Sequence, residues 1–260
     1  MRNTYRYKNN FQYWTDRWEN LDVDKIMNNT SAYPLKYSEK LIKNDKSGLI
    51  LEAGCGNGRL IRFYHEKGFK IIGIDFIGSS IKKLKNKDDS LNVLEMSVHK
   101  MDFPSNHFKY ITAFGLFHNL EKNLIDALIE THRVLSVGGM LCASFRADNL
   151  QNKIIDFLYE KRFKGDRKKK FFHKSNFRKK DLHKLFKKSN FEIVEINNSE
   201  NMSFLYKFRF FRTKKQNIFN ENIGRRIGYR LNWLGRIIHS FLLFISSDQF
   251  CNVYVVFSKK

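Results

Sequence analysis

Eleven consecutive residues constrain this chain more than any others: Leu49-Ile50-Leu51-Glu52-Ala53-Gly54-Cys55-Gly56-Asn57-Gly58-Arg59. A short apolar run, the mark of a buried strand, enters three alternating glycines and then a stretch that reads as a helix over 59–66. Glycine lets the chain turn tightly and lets a ligand lie against the backbone with no Cβ in the way. The first turn of the following helix aims its N–H groups at that ligand. The dinucleotide fingerprint Gly-x-Gly-x-x-Gly would need its third glycine where Arg59 stands, so this loop is of another kind.

The rest of the chain repeats the alternation. Strands are expected at 49–51, 70–74, 91–94, 110–116, 140–145, 191–196 and 252–258, and helices at 59–66, 79–87, 124–135 and 179–188. Strands alternating with helices imply an α/β fold. The expected architecture is a Rossmann-like, seven-stranded, mostly parallel sheet with helices on both faces, an N-terminal lid and a C-terminal helical insertion. The boundaries follow from composition. Residues 1–45, polar and aromatic with Tyr13, Trp14 and Trp18 near Arg17, form the lid; 46–197 plus 250–260 form the core; 198–249 form a basic amphipathic insertion. A connection of about 50 residues is too long to be structureless in a compact domain. Ile227, Leu231, Leu234, Ile238, Phe241, Leu242 and Ile245 lie there at helical spacing, beside Arg226 and Arg230.

Charge is uneven. The net charge is +22, and residues 1–150 contribute only +5 of it while 151–260 contribute +17. Residues 161–180 alone hold eleven basic side chains and four phenylalanines. Such a surplus calls for an anionic partner: nucleic acid, anionic lipid head groups or a phosphorylated substrate. The three cysteines show no Cys-x-x-Cys, which argues against a disulfide framework and a structural zinc site. The histidines show no ligand spacing, so no metal is expected. The N-terminus lacks the apolar stretch of a signal peptide, and the most apolar window, 237–245, is too short to span a bilayer. A cytoplasmic location is expected, with peripheral contact at the inner face of a membrane as an extension of it.

Four segments occur in order: Glu52-Ala53-Gly54-Cys55-Gly56-Asn57-Gly58, Ile72-Gly73-Ile74-Asp75-Phe76, Met101-Asp102-Phe103-Pro104-Ser105-Asn106-His107-Phe108, and Arg133-Val134-Leu135-Ser136-Val137-Gly138-Gly139. Together they resemble the class I S-adenosylmethionine-dependent methyltransferases over roughly residues 47–146. The resemblance implies S-adenosylmethionine as cofactor, with S-adenosylhomocysteine as product. It implies that Asp75 accepts from the ribose hydroxyls, that Glu52 lies near the cofactor's amino group and sulfonium, and that Gly54, Cys55, Gly56 and Gly58 form the cradle. Phe76 would cover the adenine, and Phe114 would border the cofactor after the fourth strand. In the family an acidic residue commonly meets the adenine amino group; here Ser97 stands in that place, with the backbone N–H of Val98 beside it and Met96 where a glycine is usual.

The segment Phe114-Gly115-Leu116-Phe117-His118-Asn119-Leu120 lies where the family places acceptor contacts. It is not Asp/Asn-Pro-Pro-Tyr/Phe and has no cysteine, which disfavours adenine or glutamine amino-methylation and a covalent cytosine mechanism. His118 is the candidate acid/base, because an ordinary imidazole titrates near neutrality. The expected function is methyl transfer to an oxygen or nitrogen of a small or lipid-like acceptor. The alternatives are RNA methylation through 161–180, where basic residues interleave with aromatics, and a non-catalytic binding module.

Overall fold

The computed structural model describes residues 1–260 except 24, 25, 28, 163–168 and 201. Apolar side chains at successive strand positions feed two layers. In β6 (Leu135–Arg146), Leu141 and Ala143 point to one core while Cys142 points to the other. In β9 (Val253–Lys259), Tyr254 and Val256 face the first core and Val253, Val255 and Phe257 the second. A strand buried on both faces needs helices on both sides. Helices α5 (Leu124–Val134) and α7 (Lys179–Lys188) cover the first face. Helices α2 (Leu35–Ile42), α3 (Ile61–Glu66) and α4 (Gly78–Lys87) cover the second.

The sheet also contains β2 (Ile50–Ala53), β3 (Ile71–Asp75), β4 (Val93–Glu95), β5 (Phe108–Ala113) and β8 (Glu192–Ser199), in the order β4-β3-β2-β5-β6-β9-β8. The strands from β4 to β6 run parallel, and β9 runs antiparallel to both its neighbours. All seven expected strands and the four expected helices are present, with ends shifted by a few residues. The strand order reverses between β2 and β5, and in open sheets of this kind the crevice beyond the carboxyl ends of such strands holds the ligand.

Three features differ from expectation. The lid expected over 1–45 divides: α2 is a core helix whose Leu35, Leu41 and Ile42 are buried, so only the part before it covers the crevice. A second, two-stranded sheet pairs β1 (Arg2–Arg6) with β7 (Phe171–Asn176), and α6 (Leu150–Arg162) precedes it. The apolar stripe of 227–245 is not one helix. Gly228, at φ +86°, ends α8 (Glu221–Ile227), and α9 (Trp233–Phe250) starts afresh from the Asn232 cap and kinks at Ser246. Among the described residues no helix is long and apolar enough to cross a membrane.

Candidate active site

The glycine loop begins where β2 ends. Gly54 and Cys55 both donate their N–H to the Ile74 carbonyl, which ties the loop to the end of β3. Gly56 has φ +51°, and a Cβ there would meet the Trp18 ring at 2.7 Å. The position therefore demands glycine twice, for its backbone and for the indole that lies on it. Trp18 belongs to α1 (Asn10–Asn20), the lid helix. Its carboxyl end is pinned: Lys83 donates to the carbonyls of Trp18 at 2.8 Å and Glu19 at 2.7 Å, and Asn57 donates to those of Leu21 and Asp22 at 3.1 Å each. A lysine at helix carbonyls satisfies orphan acceptors and the helix dipole together.

Asp75 ends β3 and is buried. Its Oδ2 accepts from the Gly56 N–H at 2.8 Å and its Oδ1 from the Ile77 N–H at 3.0 Å. Burial raises its carboxyl above the ordinary value, and the backbone donors pull it back. Glu52 is buried too; its Oε2 accepts from the Ile61 N–H at 2.7 Å, at the start of α3.

A cavity of about 340 Å³ opens at the loop. Glu52, Gly54, Cys55, Gly56, Asp75, Phe76, Phe114 and His118 all line it, as do Trp14 and Trp18 of the lid. Eight of the eleven expected site residues thus meet in one place. The other three do not line the cavity. Gly58 lies deeper, where a Cβ would meet Leu84 at 2.4 Å, so its role is packing of the loop on α4. Ser97 is exposed and accepts from the His99 N–H at 3.3 Å, and Val98 is packed in the first core. Phe76 is exposed at the rim, its ring 6.0 Å from that of Phe11.

The second wall is built around Ser144 of β6. Its Oγ accepts from the Gly115 N–H at 2.9 Å and from the Tyr33 hydroxyl at 2.8 Å. Its carbonyl lies 3.2 Å from His118 Nδ1, which makes Nδ1–H the donor and leaves Nε2 as the free lone pair. The near-neutral imidazole expected for His118 is not what this setting makes. Burial, then Lys174 and Arg146, push it down to about 3, so it is neutral at physiological pH and a weak base.

Sequence reasoning missed several lining residues: Tyr33, Arg146, His173, Lys174, Arg225 and Tyr229. Arg146 was the findable one, a charge at the carboxyl end of a buried strand. The insertion contributes α8, where Glu221 pairs with Arg17 and the Arg225 guanidinium lies 5.0 Å from the centre of the Trp18 ring. Lid and insertion therefore close over the glycine loop together.

The basic segment 161–180 reads differently in three dimensions. Residues 163–168 lie outside the described residues. Of its remaining phenylalanines, Phe172 and Phe177 are buried in the fold, which removes them as stacking platforms for bases.

The donor set fits S-adenosylmethionine. A loop with no Cβ at Gly54 and Gly56 opens on the cavity, and each Asp75 oxygen accepts one of the two bonds, from Gly56 in the loop and from Ile77 before α4, leaving acceptor capacity for a diol. Residues 51–143 match the family described as a methyltransferase domain. A 67-residue stretch is 39% identical to thiopurine S-methyltransferase of Francisella tularensis, covering 26% of this chain and 29% of that one. The chain thus spans less than a third of the length of that curated relative. Among solved structures, a SAM-dependent methyltransferase from Archaeoglobus fulgidus aligns at 16% identity over 88% of this chain and 100% of its own, with a TM-score of 0.55. The 1,6-didemethyltoxoflavin-N1-methyltransferase of Burkholderia thailandensis, solved with 1,6-didemethyltoxoflavin and S-adenosylhomocysteine, aligns at 14% identity over 86% and 76%, with a TM-score of 0.52.

Proposed function

We propose that this chain, a member by fold and motif of the class I S-adenosylmethionine-dependent methyltransferases, transfers a methyl group to an oxygen or nitrogen of a small-molecule acceptor held in the cavity. The observation that carries the reading is the shared cavity itself. It joins the glycine loop, Glu52 and Asp75 to the His118–Ser144 wall beneath one aromatic lid.

In this reading Asp75 holds the ribose hydroxyls, Glu52 faces the cationic part of the cofactor, and Phe76 with Phe11 covers the adenine. Ser97 and Val98 would reach the adenine only if the chain after β4 swings inward. Bound there, S-adenosylmethionine supplies an electrophilic methyl group on a sulfonium. The protein's own work is alignment and exclusion of water, and alignment alone is worth about 7–11 kcal/mol. Trp14 and Trp18, stacked with centroids 5.5 Å apart, form the roof. Tyr33 and Phe114, in edge contact at 5.5 Å, form an apolar wall for the acceptor. His118 Nε2 is an acceptor that orients an O–H or N–H nucleophile by taking its hydrogen bond, and the proton leaves to water once the new bond has formed.

The test is incubation with methyl-labelled S-adenosylmethionine and a cell extract, followed by separation into small aqueous, organic, RNA and protein fractions. Label in a small-molecule fraction is the expected result. Label confined to RNA or protein overturns the acceptor class, and cofactor binding without labelled product supports the binding-module alternative.

A lipid-like acceptor has one observation in its favour. On α9, Trp233, Ile237, Phe241 and Phe244 are exposed, Phe244 at 88%, and Arg236 lies among them. Apolar side chains with basic neighbours suit an anionic membrane surface. Flotation with phosphatidylglycerol vesicles, abolished by Phe241→Ser/Phe244→Ser, would support peripheral contact. Equal recovery of both proteins in the bottom fraction would exclude it.

A further inference from the structure

We propose that the wall formed by the end of β6 and by β7 is an anion subsite, where Arg146 and Lys174 receive a carboxylate or phosphate group carried by the acceptor. The inference deepens the methyl-transfer reading and rests on it for the word acceptor. Four side chains make the wall: His118 after β5, Arg146 as the last residue of β6, and His173 and Lys174 on β7.

Two neighbours on a regular strand point to opposite faces. Here Thr4 pairs with Lys174 and Tyr5 with Phe172, which leaves His173 as the extra residue of a bulge. A bulge breaks the alternation and re-aims side chains, and both His173 and Lys174 line the cavity. The small sheet of β1 and β7 thus serves to deliver two basic groups to one place.

Among the described residues Arg146 and Lys174 have no carboxylate at ion-pair distance, and Asp156 and Glu200 act on Arg146 only from farther away, whereas Arg2 and Arg17 nearby are paired. Arg2 pairs with Asp148 and Asp156, and Arg17 with Glu221. Among the described residues neither the Arg146 guanidinium nor the Lys174 ammonium makes an ion pair or hydrogen bond, and Arg146 Nε is buried without a partner. His173 is 2% exposed and its Nε2 is likewise buried and unpartnered. The carboxylates that line the cavity are engaged elsewhere, Asp75 and Glu52 by backbone N–H groups and Glu221 by Arg17.

Buried charge without a partner is costly, and a bound anion removes that cost. Burial and the charges of Arg146 and Arg6 hold the Lys174 ammonium well below its ordinary value. An anion between them reverses this, and charge-assisted bonds to guanidinium and ammonium are the strong kind. The cofactor's own carboxylate is the competing occupant. The sheet order argues against it, since β5 stands between β6 and the glycine-loop strand β2.

The experiment measures binding of benzoate, phenyl phosphate and the neutral isostere benzamide to the full chain by calorimetry, with and without saturating S-adenosylhomocysteine. The anions are expected to bind at least about tenfold more tightly than benzamide; preference between benzoate and phenyl phosphate identifies the headgroup. Arg146→Met and Lys174→Met each remove about tenfold or more of that preference, Arg146→Lys retains part of it, and thermal denaturation verifies folding. S-adenosylhomocysteine affinity stays within about twofold in all variants. Benzamide binding as well as the anions, or Met variants that keep the preference, overturns the subsite. Loss of S-adenosylhomocysteine affinity in Arg146→Met hands the wall to the cofactor and also overturns it. Anion binding by a wild-type protein that fails to bind S-adenosylhomocysteine leaves the subsite standing and overturns the methyl-transfer reading instead.

Discussion

Replacement of Asp75 separates a cofactor ligand from a structural carboxylate. Its two oxygens already accept the N–H groups of Gly56 and Ile77. Asp75→Asn exchanges one oxygen for an NH₂ that faces an N–H, so one loop bond is lost. A buried amide left without a partner costs about 1–3 kcal/mol. Part of that is offset, because burial disfavours the ionised carboxyl and the amide carries no charge to desolvate. The net loss of stability should be about 1–2 kcal/mol. Cofactor affinity should fall much further. Two charge-assisted bonds to a diol, at about 1.5–3 kcal/mol each, correspond to a loss of roughly 100-fold or more. Asp75→Ala loses the bonds to both Gly56 and Ile77 and should be markedly less stable. Calorimetric titration with S-adenosylhomocysteine and thermal unfolding with and without it give the two quantities separately. An Asn variant that binds within twofold of wild type refutes the assignment and leaves Asp75 as a tie for the loop.

Other perturbations test the neighbouring parts. Gly56→Ala places a residue with Cβ at φ +51° and drives it into Trp18, so it should cost about 1–2 kcal/mol from the backbone alone. It should also shift tryptophan emission as the indole is displaced; unchanged emission would mean that Trp18 does not rest on the loop in solution. Lys83→Met removes the cation from the α1 carbonyls and should speed S-adenosylhomocysteine release in stopped-flow measurements. Equal release rates would show that the lid is held by other contacts. Glu200 supplies a pH test. Burial pushes its carboxyl up to about 8 from an ordinary 4.5, so the folded state holds a proton that the unfolded chain releases. Stability from this group is complete below about pH 4.5 and is lost as pH rises through 8. Glu200→Gln should therefore raise the melting temperature at pH 8 and change it little at pH 5; an equal shift at both values would contradict the burial.

What the sequence disclosed, and what it withheld, follows from the range of the interactions. The core strands and the glycine loop are local signals: apolar runs of four to six residues, ending at Gly54 and Asp75, carry their own pattern. The loop residues expected to cradle the cofactor could be read because backbone geometry and chemistry coincide within a dozen positions, and Gly54, Cys55 and Gly56 line the cavity. Ser97 and Val98 were carried by alignment to a neighbouring segment alone, and they lie off the cavity. The wall proposed for the acceptor was hidden for a different reason. His173 and Lys174 sit inside a basic run where every lysine looks alike, and only the register with β1 across about 170 residues makes a bulge of one of them. The same holds for α1, whose Trp18 reads as part of an aromatic cluster until Gly56, Lys83 and Arg225 give it a place. Composition did mark the second half as basic. Among the described residues the basic side chains include lysines in solvent, arginines paired with carboxylates such as Arg2 and Arg17, and Arg146 and Lys174, which face the cavity without an ion pair. In the proposed subsite these two select the acceptor, because a charge screened by water or held by a carboxylate discriminates little between an anion and its neutral isostere.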